Sequence, residues 1–274
     1  MKHKNMQSWL AAPHAVWSVL FIIAPLIFVA YYAFTDKEGA FTLDNVANAL
    51  SRSTLIIFFR SISFALIATF ICLIIAYPLA YALSKSKAST QKIMIMLVML
   101  PMWMNFLIRT YAIMVLIQDT GIINSFLGNF GIGPIHILGT ETAVIIGMVY
   151  DYLPYMILPI YTVMTKLDYR LVEAADLGCN GFAVLRKVII PLSLSGVISG
   201  VTMVLVPSIS TFYISQKLGG VDMVMIGDVI EQQYNASNYN MTASLSLVLM
   251  VILLLGLIIV NRFSDGDGED GMMP

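Results

Sequence analysis

Long apolar runs, separated by short polar stretches, set the pattern of this chain. Six of them reach the length of about 20 residues that a helix needs to cross a hydrocarbon core: Ala15–Phe34, Ile62–Leu83, Ile93–Ile117, Thr142–Met164, Ser193–Ile214 and Met241–Asn261. The pattern predicts an all-α polytopic membrane protein with six transmembrane helices. Prolines fall inside the runs at Pro25, Pro78, Pro101, Pro154, Pro159 and Pro207. In a bundle they need not end a span, because neighbouring helices and Ser/Thr side chains can satisfy the freed carbonyls. Gly, Ala and Ser recur within the runs, as close helix contacts in lipid require. Ala15–Phe34 follows the short basic start Lys2-His3-Lys4 and exceeds the 7 to 15 residues of a signal-peptide core, so it reads as an uncleaved first span.

Basic residues orient the bundle. With the N-terminus inside, ten of the fifteen Lys and Arg fall on inner segments (Lys2, Lys4, Lys85, Lys87, Lys92, Lys166, Arg170, Arg186, Lys187, Arg262). Four fall outside (Lys37, Arg52, Arg60, Lys217), and Arg109 lies within the third run. The positive-inside rule then places both termini in the cytoplasm. Residues 1–14 form a cytoplasmic N-terminus, 15–262 the six-span domain, and 263–274 an acidic tail (Asp265, Asp267, Glu269, Asp270) expected to be disordered.

Composition agrees with this picture. Hydrophobic residues make up 59% and charged residues 11%, against about 25% charged in soluble domains. Net charge is −1, so nothing points to nucleic acid. Cys72 and Cys179 fit no disulfide or metal spacing, and no cofactor or metal is expected. His3, His14 and His136 are too scattered for a membrane-embedded enzyme, and no phosphate-cradling glycine loop is present, so the chain is not expected to be an enzyme.

The polar insertion at 165–192 stands out, because it is predicted to face the cytoplasm between the fourth and fifth spans. Asp168 can cap a helix Tyr169–Leu177 that stops at Gly178. Asn180 can cap a second helix, Gly181–Ile190, which Pro191 would end while turning the chain into the fifth span. On the first helix Leu171, Ala174 and Ala175 share a face, with Arg170, Glu173 and Asp176 around it. So short a helix is marginal alone. It either docks a partner or is a plain amphipathic connector.

Glu173-Ala174-Ala175, then Gly178, then Ile189-Ile190-Pro191 resembles the EAA loop of bacterial ABC-importer permeases. The thirteen residues from Gly178 to Pro191 match that family's spacing, while the step from Glu173 to Gly178 is one residue shorter than the usual EAA-x-x-x-G. The run from Leu100 to Tyr111 resembles the third-span region of spermidine/putrescine permeases of the first-permease type. So do Phe212-Tyr213-Ile214-Ser215, Gly219-Gly220 and Met225 to Ile230. The resemblance implies an ABC type I importer permease (MetI-like) fold in the bacterial plasma membrane. It further implies a heterodimer with a second permease, two ATPase subunits, and an extracytoplasmic substrate-binding protein. In such a complex Glu173, Ala174, Ala175, Asp176, Gly178 and Pro191 would belong to the coupling loop that docks the ATPase, and polyamines are the implied cargo. A permease for another small organic solute, or a secondary transporter, are the alternatives.

Two charges lie inside the predicted spans, Arg109 and Asp151, each about 12 to 13 Å from the outer end of its span. Intramembrane charges are functional candidates. Three readings stand: a structural ion pair; a path-lining Asp151, with Tyr150, Tyr152 and Tyr155 nearby, that meets substrate ammonium groups; or a snorkelling Arg109 beside an Asp151 facing a watery vestibule. The outer segment Ser215 to Asn240 holds Asp222, Asp228 and Glu231 against one Lys217, either a negative bias towards a cationic substrate or a solvated loop that docks a binding protein or simply caps the bundle.

Overall fold

Apolar runs of this length must satisfy their backbone groups internally in lipid, which leaves the helix as the open-ended solution. In the computed structural model, which describes residues 13–167, 181–220 and 223–265, the described chain is accordingly helical, without strands. The elements are α1 (Pro13–Ala33), α2 (Asp44–Ala49), α3 (Arg52–Lys85), α4 (Ala88–Trp103), α5 (Phe106–Ile117), α6 (Ile122–Gly128), α7 (Glu141–Met164), α8 (Ile190–Ser210), α9 (Tyr213–Leu218), α10 (Ile226–Asn235) and α11 (Tyr239–Asp265). Among the described residues, six segments are long and apolar enough to cross a membrane: Pro13–Ala33, Arg52–Lys85, Phe106–Gly128, Glu141–Met164, Leu185–Ser210 and Tyr239–Val260.

Three elements depart from the sequence expectation. The run Ile93–Ile117 is not one helix: α4 stops at Trp103, Met104 and Asn105 are extended (ψ 146° and 132°), and α5 restarts at Phe106. Asn105 caps the new helix by accepting from Leu107 N–H at 2.8 Å, and Asn is favoured there over continuing a helix. The second span is longer than its apolar run. At 34 residues α3 extends about 51 Å, well beyond a hydrocarbon core of about 30 Å.

Pro191, finally, ends nothing. Gly181–Val184 leads into a π turn, Leu185–Ile189, which runs straight into α8 with Pro191 in its first turn. The i→i+5 bond from Ile190 N–H to the Leu185 carbonyl widens the helix where the proline ring would otherwise strike it. The same device precedes Pro25 in α1, where Val19–Ile23 is a π turn closed by Ala24 N–H on the Val19 carbonyl.

The chain divides into two compact units. In the unit formed by Met1–Ile56 with Val229–Leu253, polar side chains tie α11 to the end of α1. Asn240 Nδ2 donates to the Thr35 carbonyl (2.6 Å) and Ser244 Oγ to the Ala33 carbonyl (3.1 Å).

In the unit formed by Ile57–Asp228 with Leu254–Pro274, α7 is the most buried helix, with Val144, Met148, Met156, Ile160 and Met164 sealed along it. α8 packs on α7 through glycines. A Cβ at Gly196 would stand 3.0 Å from the Pro159 carbonyl, and one at Gly200 would stand 2.8 Å from Met156 Sδ. Small residues thus let the two backbones touch, the means by which helices adhere where lipid offers no hydrophobic drive. α3 contributes its own small stripe, Ala65, Ala68, Cys72, Ala76 and Ala80, all buried. Tyr77 and Ser193 bridge α3 to α8 by a hydroxyl pair at 2.9 Å.

Candidate functional site

The break between α4 and α5 supplies the setting for the two intramembrane charges. The break, at Met104 and Asn105, leaves the last carbonyls of α4 short of helical partners, and that of Pro101 accepts the Met104 N–H at 3.2 Å. Arg109, one turn into α5, reaches back and donates from Nη1 to the Pro101 carbonyl at 3.1 Å. Its Nε meets Asp151 Oδ1 from α7 in an ion pair. Thr110, the next residue on α5, offers its hydroxyl to the Phe106 carbonyl (3.0 Å) and to Asp151 Oδ2 (3.4 Å). The Arg109 guanidinium also lies over the Phe106 ring, 5.8 Å from its centroid.

Arg109 is 5% exposed and Asp151 0%. The two charges therefore meet as a sealed pair whose carboxylate oxygens are both engaged, and in this conformation Asp151 presents no free face to a passing ammonium. Of its aromatic neighbours, Tyr152 is buried and donates to the Pro207 carbonyl (3.3 Å), whereas Tyr150 is 40% exposed on the other side of α7. The sequence marked the pair, but not Thr110 or the Pro101 carbonyl that complete it. Asn105 was the available signal, since a residue of that type ahead of an apolar run announces a helix start.

Glu173, Ala174, Ala175, Asp176 and Gly178, with the expected helix Tyr169–Leu177, lie outside the described residues. Pro191 is described, at the start of α8.

In the segment Ser215 to Asn240, the acid described in most detail is not a surface charge. Asp228 is buried, and its oxygens accept from Met225 N–H (2.6 Å) and Ser215 Oγ (3.0 Å). It stands in the first turn of α10 and satisfies an orphan amide there, a capping function rather than a surface charge for attracting cations. Ser61 Oγ of α3 accepts from Ile226 N–H (2.8 Å), and Arg60 donates to the Val224 carbonyl, so α3 holds the start of α10 in place. Asp222 is outside the described residues.

The glycines of this region are also explained. A Cβ at Gly220 would lie 2.6 Å from the Gly139 carbonyl, and one at Gly227 2.6 Å from the carbonyls of Ser210 and Thr211. Among the described residues, no group of three or more His, Cys, Asp or Glu is placed to hold a metal ion.

Residues 47–265 match the family model described as binding-protein-dependent transport system inner membrane component. The chain is similar to the spermidine/putrescine transport system permease protein PotB of Haemophilus influenzae, 38% identical over 256 residues that cover 90% of each chain. It is similar also to the PotB of Escherichia coli, 36% identical over 258 residues, 90% of this chain and 94% of that one. Among solved structures, it resembles a chain of a bacterial ABC transporter involved in the import of the acidic polysaccharide alginate. The TM-score is 0.74, with 15% identity, and 98% of each chain is covered. It also resembles an inward-facing MetNI methionine ABC transporter (TM-score 0.59, 15% identity, 80% of this chain and 100% of that one).

Proposed function

Because the chain belongs to the family of binding-protein-dependent transport system inner membrane components, we propose that it is the polyamine-conducting permease of an ATP-driven importer, with spermidine and putrescine as cargo. As a member of that family it is a multi-pass protein of the bacterial inner membrane, without catalytic activity of its own, and works with a substrate-binding protein. The identity of 36 to 38% with spermidine/putrescine permeases, sustained over 90% of the chain, carries the substrate reading.

In this proposal the subunit forms the translocation path as a heterodimer with a second permease. Two ATPase subunits power the pair, and an extracytoplasmic binding protein delivers the polyamine. The EAA loop at 165–192 docks the ATPase, and closure of the ATPase dimer switches the bundle between inward and outward openings. The Arg109–Asp151 pair braces the broken third span against α7, and Tyr150 and Tyr152 flank Asp151 on that helix. Selectivity would rest in large part on the binding protein.

The test is uptake of labelled spermidine and putrescine by the complex reconstituted with its binding protein, with amino acids and other cations as competitors. Saturable, ATP-dependent polyamine uptake is expected. Robust uptake of a different solute, without polyamine uptake, would leave the architecture standing and overturn the substrate.

A further inference from the structure

A second cation of this unit sits among aromatic rings. Lys217 Nζ lies 5.6 Å from the centroid of Tyr111 and 5.6 Å from that of Tyr213. The two rings meet edge to face at 6.2 Å, and Phe106 adjoins Tyr213 at 6.0 Å. Tyr213 and Lys217 are four residues apart on α9, which stacks the ammonium over its own helix neighbour. Tyr111 comes from α5 and is 43% exposed, so the cage is open on one side. The buried acid of this region, Asp228, is committed to Ser215 and the Met225 amide. Rings at this distance attract cations through their negative faces, most strongly where water is partly excluded.

Chemistry connects the cage to the cargo. The end of a lysine side chain and the end of a polyamine are the same group, an ammonium on a flexible alkyl stem. A fixed Lys in the path of a polycation would only repel it, whereas a Lys that can leave the rings hands its place over. The cage also lies just beyond the C-terminal end of α8, whose 21 residues extend about 31 Å from Ile190. Resting on the polyamine reading above, we propose that the Tyr111–Tyr213 cage receives an ammonium group of the transported polyamine, and that Lys217 is its resident occupant, exchanged for the substrate as it passes. Contact with two rings and the Tyr111 hydroxyl, rather than with a buried carboxylate, suits a path, since a station on a path must release what it holds. The tethered Lys acts as a competitor at high effective concentration and weakens binding until it is displaced.

The experiment measures binding of labelled spermidine to the permease–ATPase complex in nanodiscs, without binding protein. Lys217→Met keeps the stem and removes the charge, and is expected to tighten binding about tenfold, the scale of a cation–aromatic contact. Adding Tyr213→Leu to Lys217→Met should abolish the gain, and adding Tyr213→Phe should keep it, because the ring remains. Unchanged or weaker binding by Lys217→Met, or a gain that survives Tyr213→Leu, would overturn the exchange. A loss of thermal stability in Lys217→Met with unchanged affinity would overturn it too, by showing that the contact only anchors α9. Uptake by the wild-type complex with binding protein is run beside it. If polyamines are not imported there, the substrate reading falls and the proposal with it; if they are, negative binding results count against the cage alone.

Discussion

Removing one member of the Arg109–Asp151 pair at a time, and then both, measures what the pair contributes to the bundle. With Asp151→Asn, Arg109 stays charged and 5% exposed, left with the Pro101 carbonyl and an uncharged amide in place of its counter-ion. With Arg109→Met, Asp151 stays fully buried with only Thr110 to accept from, at 3.4 Å. Breaking a buried pair from either side costs about 3 to 5 kcal/mol, because the survivor is an uncompensated charge. The double substitution removes both charges. What it loses is the Pro101 bond and part of the Thr110 bond, about 1 kcal/mol each. Taking about 3 kcal/mol for each single change and about 2 kcal/mol for the double, the coupling energy is about −4 kcal/mol. Unfolding of the subunit by SDS in mixed micelles, followed by fluorescence of Trp103 beside the α4–α5 break, reads all four corners of the cycle. Additive single effects, with coupling near zero, would refute a sealed structural pair. So would Asp151→Asn protein of normal stability that assembles yet transports poorly, which would make the carboxylate a functional group of the path.

Other outcomes follow from the same contacts. Gly200→Val puts methyl groups into space already closed at 2.8 Å by Met156 Sδ, and should destabilise the subunit by about 2 to 3 kcal/mol in the same unfolding assay. Gly256→Val in α11, with nothing within 4 Å, serves as the neutral control. Asp228→Ala strips two bonds from a buried cap and should cost about 2 kcal/mol, read as faster proteolysis of the segment between α9 and α10. A charged or bulky replacement at Ala174 or Ala175 should abolish uptake while ATPase activity and membrane insertion persist. Unchanged uptake in both would remove the docking role from that helix.

What could be read from the sequence was whatever depends on length and charge alone. Apolar runs of about 20 residues located the helices, and one Arg and one Asp at matching depths located each other, because both facts survive without knowledge of packing. The α4–α5 break escaped that reading. Two extended residues inside a 25-residue apolar run, Ile93–Ile117, hardly alter its hydropathy, and only the Pro101 and Asn105 pair hinted at them. Pro191 misled for a related reason. A proline usually signals a helix end, and nothing in the residues before it reveals a π turn, whose extra residue is visible only in the backbone. The burial of Asp228 was not legible, because its partners, Met225 N–H and Ser215, are brought to it by a fold the local sequence does not disclose. The Lys217 cage joins α5 to α9, so only its Tyr213–Lys217 half was readable, as a four-residue spacing.

The glycine contacts between α7 and α8 have a mechanical consequence. The segment 165–192, expected to meet the motor, connects these two helices. Their backbones already touch at Gly196 and Gly200, and the helical path from Gly181 reaches α8 through a π turn and Pro191. A connector between two rods clamped along their length cannot draw one without the other. A displacement delivered there is expected to carry α7 and α8 together, and with them Asp151 and its partner Arg109.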